Sequence, residues 1–290
     1  SHKCFERLEE LQTFEKINTI KADLSDHGSI TSAIRQSEPD EIYNLAAQSF
    51  VGASFQQPIL TADITGLGVL RVLEAIKENA PDAKFYQASS SEMYGNYPGE
   101  KNEVSPLVPR SPYGAAKVFG HHITNHYREA YNIFACCGIL FNHESPLRGL
   151  EFVTRKITST LARIKFKKTN VLKLGNINAK RDWGFAGDYV EAMWLMLQQK
   201  NPNDYVISTG ESHSVEEFLS LATEFCDLGD WHDFVEFDQD VMRPTDIEDL
   251  FGNSTKAQKE LNWKPKISFR ELVKMMVDHD VEYENYTQIP

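Results

Sequence analysis

Apolar positions along this chain recur with two periods in turn, one near 3.6 residues and one near two, and the elements follow from that alternation. FERLEELQTF has helical spacing, and INTIKADLSD after it reads as a strand ending in an acidic turn. A helix over 29–36 leads to EIYNLAAQS, a strand that stops at small residues, and then to a long amphipathic helix over about 60–78, closed by Pro81. Strand AKFYQA, a helix beginning near Pro112 and the buried strand NIFACCGILFN continue the rhythm. Strands and helices in this order predict an α/β fold, a doubly wound parallel sheet of Rossmann type covered on both faces.

After Asn142 the rhythm changes. SPLRGLEFVTRKITSTLARI reads as loop then helix, VLKLGN as a short strand, DYVEAMWLMLQQ as a helix and YVIST as a strand. SVEEFLSLATEF and SFRELVKMMVDH read as two further helices, and WHDFVEFDQD as a surface strand and turn. Residues 1–150 are therefore expected to form a dinucleotide-binding domain. Residues 151–290 are expected to form mainly a smaller α/β substrate domain, with some segments returning to the sheet.

Composition narrows the function. The 290 residues are enough for one large domain or two smaller ones. A net charge of -12 without a dense basic tract excludes a nucleic-acid surface, so an anionic ligand must be met by a local cluster. No apolar run approaches the ~18 residues of a membrane span. The four cysteines, Cys4, Cys136, Cys137 and Cys226, lack CxxC spacing, and Cys136 and Cys137 read as core thiols. A cytoplasmic protein without a bound metal is expected. His122 and His126 are spaced for a metal but have no evident third ligand, and they read as packing residues.

The candidate chemistry lies between Ser89 and Lys117. Tyr113 and Lys117 are one helical turn apart, so the ammonium is expected to favour the phenolate and let Tyr113 act as a base near neutrality. Ser89, Ser90, Ser91 and Glu92 follow a strand, at the end where open α/β sheets carry their sites. Such a sheet normally begins with a strand, a glycine-rich turn and a helix holding a pyrophosphate, and nothing before Asp23 fits. TGLGVLRV has Arg71 at the third glycine position and lies inside a helix. A full unit of about 30 residues or more is therefore expected in front of Ser1.

The motifs ADLSD, PDEIYNLAAQSFVGASF, FYQASSSEMYG, PRSPYGAAK, GILFNHESPLRG, EFVTRKI, LGNINAKRDWGFAGDYVEAMW and RPTDIEDLFGNSTKAQKELNWKP occur in this order over nearly the whole chain. In this they resemble the GDP-mannose 4,6-dehydratases, a branch of the extended short-chain dehydrogenase/reductases. The resemblance implies NADP as cofactor and GDP-mannose as substrate, oxidised at C4, dehydrated across C5 and C6, and reduced at C6. It implies Tyr113 with Lys117 as the base, Ser90 on the C4 oxygen, and Glu92 as the group that moves the C5 proton. Glu92 preceded by Ser91 is similar to the mannose type, whereas epimerases lack the carboxylate and glucose-type dehydratases have Asp before Glu.

The same resemblance assigns Asp23, Leu24, Leu45, Ala46, Ala47, Gln48, Tyr113, Lys117, His143 and Arg148 to the cofactor. It assigns Ser49, Ser90, Glu92, Asn142, Val153, Lys156, Arg181 and Arg243 to the substrate, with Asp246 and Glu248 left open as ribose ligands. Lys and Arg are chosen because they neutralise a diphosphate. Trp183 is close enough to Arg181 in sequence to line a pocket. Leu147 stands where many relatives carry a second Arg, and the residues that choose NADP over NAD are expected ahead of Ser1. The resemblance also implies a homodimer or homotetramer, with the helices from Leu60 and from Pro112 as partner faces. Two other readings compete: a non-catalytic sugar-nucleotide binder or assembly protein if the chain truly begins at Ser1, and a GDP-sugar epimerase or reductase.

Overall fold

A computed structural model describes residues 5–238, 245 and 247–286. The first short helix, α1 (Glu6–Glu10), and a 3-10 turn at Phe14–Lys16 precede an extended stretch. The strand expected from INTIKADLSD is absent, because no strand among the described residues pairs with this segment and Ile17 and Ile20 stay exposed. The segment ends where the Asp26 carboxylate accepts from the Gly28 amide and caps α2 (His27–Ser37).

The alternating half then follows as read. Strand β1 (Glu41–Asn44) leads to α3 (Val51–Gln56) and α4 (Pro58–Thr61), which continues through a π-helical segment, Ala62–Leu67, into α5 (Gly68–Asn79). Strand β2 (Lys84–Ser90) ends in a 3-10 turn, Ser91–Met93. Helix α6 (Pro112–Tyr131) starts where Ser111 Oγ accepts from the Gly114 amide and Pro112 occupies the first turn, and it stops at Asn132 in the left-handed region (φ 56°). Strand β3 (Ala135–Leu140) is buried along its whole length, Cys136 and Cys137 included.

The second half is made of shorter pieces: β4 (Asn142–Glu144), α7 (Val153–Lys165), β5 (Leu172–Leu174), β6 (Lys180–Arg181), β7 (Trp183–Phe185) and α8 (Ala186–Leu197). After them come β8 (Tyr205–Ile207), β9 (His213–Ser214), α9 (Val215–Phe225), β10 (Val235–Phe237), β11 (Asp249–Leu250), α10 (Thr255–Leu261) and α11 (Phe269–Tyr286).

The main sheet runs β1–β2–β3–β8 with every pair parallel. Helices α2, α5 and α6 cover one face around Leu73, Ile76 and Phe85, and α8 and α10 cover the other around Tyr86, Met196 and Trp263. Burial on both faces is why β3 reads as a continuous apolar run instead of an alternating one. Strand β8 and helices α8 and α10 are the late segments that return to this sheet. Helices α7, α9 and α11 enclose a separate core around Trp183, Phe218 and Met276. Strand β10 pairs with β5, as the surface-strand expectation for WHDFVEFDQD requires, but Trp231 and Phe234 beside it are buried. Among the described residues no helix is long and apolar enough to cross a membrane.

Candidate active site

The carboxyl end of β2 and the first turns of α6 meet at the sheet's C-terminal edge. Ser90 ends the strand, and its hydroxyl accepts from the Glu92 amide at 3.2 Å, which sets the turn carrying Glu92. That turn lies hard against α6: a Cβ on Gly114 would stand 2.8 Å from the Glu92 carbonyl oxygen, so only glycine allows this approach beside Tyr113. Lys117, one turn further, is buried and donates from Nζ to the Ala88 carbonyl at 2.8 Å.

The electrostatics differ from the expectation for this pair. Burial pushes the Tyr113 phenol up to about 12; the Ser90 hydroxyl and the Arg148 charge pull it down, while Glu92 pushes it further up. Lys117 does not supply the lowering, because its ammonium is turned to Ala88 O and stands 5.7 Å from the centre of the Tyr113 ring. Burial in turn brings Lys117 down to about 8. In this arrangement Tyr113 is a protonated phenol at neutral pH, and the cation that helps its anion is Arg148.

Strand β4 lines a pocket of about 240 Å³. Side chains alternate along a strand, so Asn142 and Glu144 line the pocket while His143 turns away and stacks on Tyr189 at 5.1 Å between ring centroids. His143 Nδ1 donates to the Phe141 carbonyl at 2.9 Å, and burial brings the imidazole down to about 4, so it is neutral. Arg148 joins the two regions: its Nε lies 3.2 Å from Glu144 Oε2, and its guanidinium sits 3.5 Å over the Phe152 ring. Glu144 is buried and its pKa is raised by burial against the pull of Arg148 and of Thr154, whose hydroxyl donates to it at 2.7 Å.

Of the residues expected to meet substrate, Asn142, Val153, Lys156 and Arg181 line one pocket, and Trp183 joins them. Burial lowers the Lys156 pKa, with Asp238 opposing. Arg181 is held by the Lys180 and Ile247 carbonyls at 2.8 and 2.6 Å. Ser90 and Glu92 lie at the Tyr113 centre, and Ser49 is exposed at the start of the loop into α3. Arg243 and Asp246 lie outside the described residues, and Glu248 is exposed, its carbonyl accepting from the Lys180 amide.

The cofactor set divides. Leu45 and Ala46 are exposed and Ala47 and Gln48 half-buried just past β1, where the Thr65 hydroxyl of the π segment accepts from the Gln48 amide at 3.0 Å. Asp23 is folded into its own turn, accepting from the Ser25 amide and hydroxyl at 2.8 and 2.7 Å. Leu24 packs on Gly68 and its carbonyl accepts from Arg71, which thereby has a structural task inside the helix.

Phe50, Glu144, Glu151, Phe152 and Asn176 also line the pocket and escaped the sequence reading. Glu144 carried a usable signal, since it lies two residues beyond Asn142 on one face of a strand. His122 and His126 are exposed on α6. The one group of possible metal ligands among the described residues is instead His121, Cys137 and Asp204, where Asp204 is already engaged by Arg128 and Asn125.

A phenol, a hydroxyl, a carboxylate and a buried amine, together with a pocket that holds two cations, can move protons to and from a phosphate-bearing substrate. The family profile described as GDP-mannose 4,6 dehydratase matches residues 1–276. The chain is 54% identical over 265 residues to GDP-mannose 4,6 dehydratase 2 of Arabidopsis thaliana, covering 90% of this chain and 71% of that protein. It is 48% identical over 281 residues to the GDP-mannose 4,6 dehydratase of Homo sapiens, covering 90% and 75%. Among solved structures, the UDP-glucose 4-epimerase of Thermus thermophilus in complex with NAD superposes with a TM-score of 0.81 at 26% identity, covering 92% of this chain and 87% of that one.

Proposed function

This chain belongs to the GDP-mannose 4,6-dehydratase family, and we propose on that premise that it converts GDP-mannose to GDP-4-keto-6-deoxy-mannose and water. A bound nicotinamide cofactor supplies the hydride acceptor and donor that make the reaction redox-neutral. Lys117 fits such a group: it is 4% exposed, and Ala88 O is its one hydrogen-bond partner among the described residues, which leaves two N–H donors for ligand hydroxyls. The loop over 45–48, Lys117 and neutral His143 are the residues that would hold it. NADP is the form we infer from the family resemblance; cofactor titration with NADP and NAD in parallel decides between them.

It is the phenolate form of Tyr113, favoured by the Ser90 hydroxyl and the Arg148 charge against burial, that takes the C4 hydroxyl proton, with Ser90 positioning that oxygen. Once C4 is a ketone, the C5 proton is acidic. Glu92 takes it and delivers it to the departing C6 hydroxyl, so one proton and one hydroxyl leave together as water. Lys156 and Arg181 neutralise the diphosphate from the pocket. The observation that carries this reading is the Glu92 turn pressed against the Tyr113 turn at Gly114, because an oxidation without that carboxylate would stop at the ketone.

Incubation with GDP-mannose and NADP, followed by mass spectrometry, should show a product lighter by one water; an unchanged or merely epimerised sugar would overturn the assignment. We further propose that the protein is a homodimer or homotetramer built on the outer faces of the α4–π–α5 helix and α6, where Ile59, Leu60, Leu67 and Phe119 are exposed. Light scattering at working concentration should find more than one copy.

A further inference from the structure

Three residues at four-residue intervals on α6, Tyr113, Lys117 and His121, face β2, and each meets the strand end. The Ser90 hydroxyl favours the Tyr113 anion, Lys117 donates to Ala88 O, and His121 Nδ1 stands 3.0 Å from Ser89 Oγ. Three consecutive residues of β2 are thus gripped by three consecutive turns of the helix that carries the reaction centre. The third contact has no part in the chemistry described above. It is a polar pair inside the sheet–helix interface, with Ser89 3% and His121 7% exposed. Such a pair is costly to bury unless its bonds are made, and once made it specifies one packing over its neighbours.

The pair is also backed from behind. Asp204, in the turn before β8, lies 3.7 Å from His121 Nε2 through Oδ2. The same carboxylate accepts from Asn125 at 2.9 Å, from the Cys137 amide of β3 at 3.0 Å and from Arg128. Asp204 therefore ties α6, β3 and the entry to β8 into one network whose innermost bond reaches Ser89. Burial holds His121 below its ordinary pKa, so the ring is neutral there and places no second cation one turn from Lys117.

We propose that Ser89 and His121 are positioning residues for the reaction: their bond, braced by Asp204, sets the register of α6 on β2 so that Tyr113 stays on Ser90 and Lys117 on Ala88. The inference rests on the dehydratase reading above. A slip of about 1 Å at a reacting group costs on the order of 100-fold in rate. The diphosphate is met by Lys156 and Arg181, which line the pocket, whereas Ser89 and His121 are not among its lining residues, so the loss belongs mainly in kcat.

The test compares Ser89→Ala, His121→Phe and His121→Asn, since an asparagine amide can occupy the place of Nδ1. Ser89→Ala and His121→Phe are expected to lower kcat about 10- to 100-fold with KM for GDP-mannose within about 3-fold, and His121→Asn to recover most of kcat. If His121→Phe fails to fold, Ser89→Ala removes a single oxygen and carries the test. Unchanged kcat in Ser89→Ala, or a His121→Asn protein as slow as His121→Phe, overturns the proposal. Wild-type protein inactive on GDP-mannose would sink the dehydratase reading alone. Positioning is then read without substrate, from the pH titration of the Lys117 Cε signal in carbon-13 lysine-labelled protein. A midpoint near 8 in wild type that is kept in His121→Asn and raised in Ser89→Ala supports the proposal, and an unmoved midpoint in Ser89→Ala refutes it.

Discussion

Replacing Lys117 with methionine should make the protein more stable while abolishing its activity. The ammonium is 4% exposed, and burial brings its pKa from 10.5 to about 8 with no carboxylate to compensate. A depression of this size corresponds to about 3 kcal/mol of destabilisation at pH 7. Losing the bond to Ala88 O returns about 1 kcal/mol. That carbonyl is not orphaned, because Gln87 Nε2 also donates to it at 3.1 Å.

Lys117→Met should therefore gain about 2 kcal/mol at pH 7, or roughly 3 °C in Tm. The sign of the pH dependence follows from the same shift. Below about 8 the folded and unfolded chains both carry the charge, and the folded one bears its cost in full. Between about 8 and 10.5 the unfolded chain binds more protons, so wild-type stability rises with pH relative to the variant. Above that window both forms are neutral and the advantage of methionine is gone. Equilibrium denaturant unfolding of both proteins at pH 7 and near the unfolded-state pKa of about 10.4 measures this directly. A variant less stable than wild type at pH 7, or equally favoured at both pH values, would refute the claim that Lys117 is a buried cation held at a cost for function.

Three further outcomes follow. Tyr113, with its phenol near 12, should be ionised in only about one molecule in 10⁵ at pH 7; the ultraviolet difference between wild type and Tyr113→Phe should show no tyrosinate below about pH 10 in ligand-free protein, and a midpoint near neutrality would contradict the burial argument. Glu92→Gln should still reduce the cofactor but lower product formation by about 10²- to 10⁴-fold, read by absorbance and by sugar analysis in a single turnover; normal product would remove Glu92 from its role. Asp280, 2% exposed, binds Arg155 at 2.7 to 3.0 Å and Thr158 at 2.6 Å between α7 and α11. Asp280→Leu should cost about 3 to 5 kcal/mol, with much of it regained in Arg155→Leu/Asp280→Leu; denaturation midpoints that add for the two single changes would count against a buried pair.

Order along the chain was sufficient for the elements whose information is local. Ser111–Pro112 before an amphipathic run announces α6, and the run in β3 announces a strand buried on both faces, because caps and periodicity act within a few residues. The family motifs likewise carried Tyr113, Lys117, Ser90 and Glu92, and they placed Asn142, Val153, Lys156 and Arg181 in what proved to be one pocket. Residues 18–22 show the limit: β-propensity there is real, but a strand exists only when a partner pairs with it, and none of the described strands does. Protonation was the other matter that only tertiary structure decided. Helical spacing puts Lys117 next to Tyr113, yet spacing says nothing of burial, and burial drives the phenol up and the amine down together. For the same reason the contacts of Arg148 with Glu144 and Phe152 and the Ser89–His121 bond were not legible: desolvation and side-chain pairing depend on what other segments bring alongside, and that is set only when the chain has closed on itself.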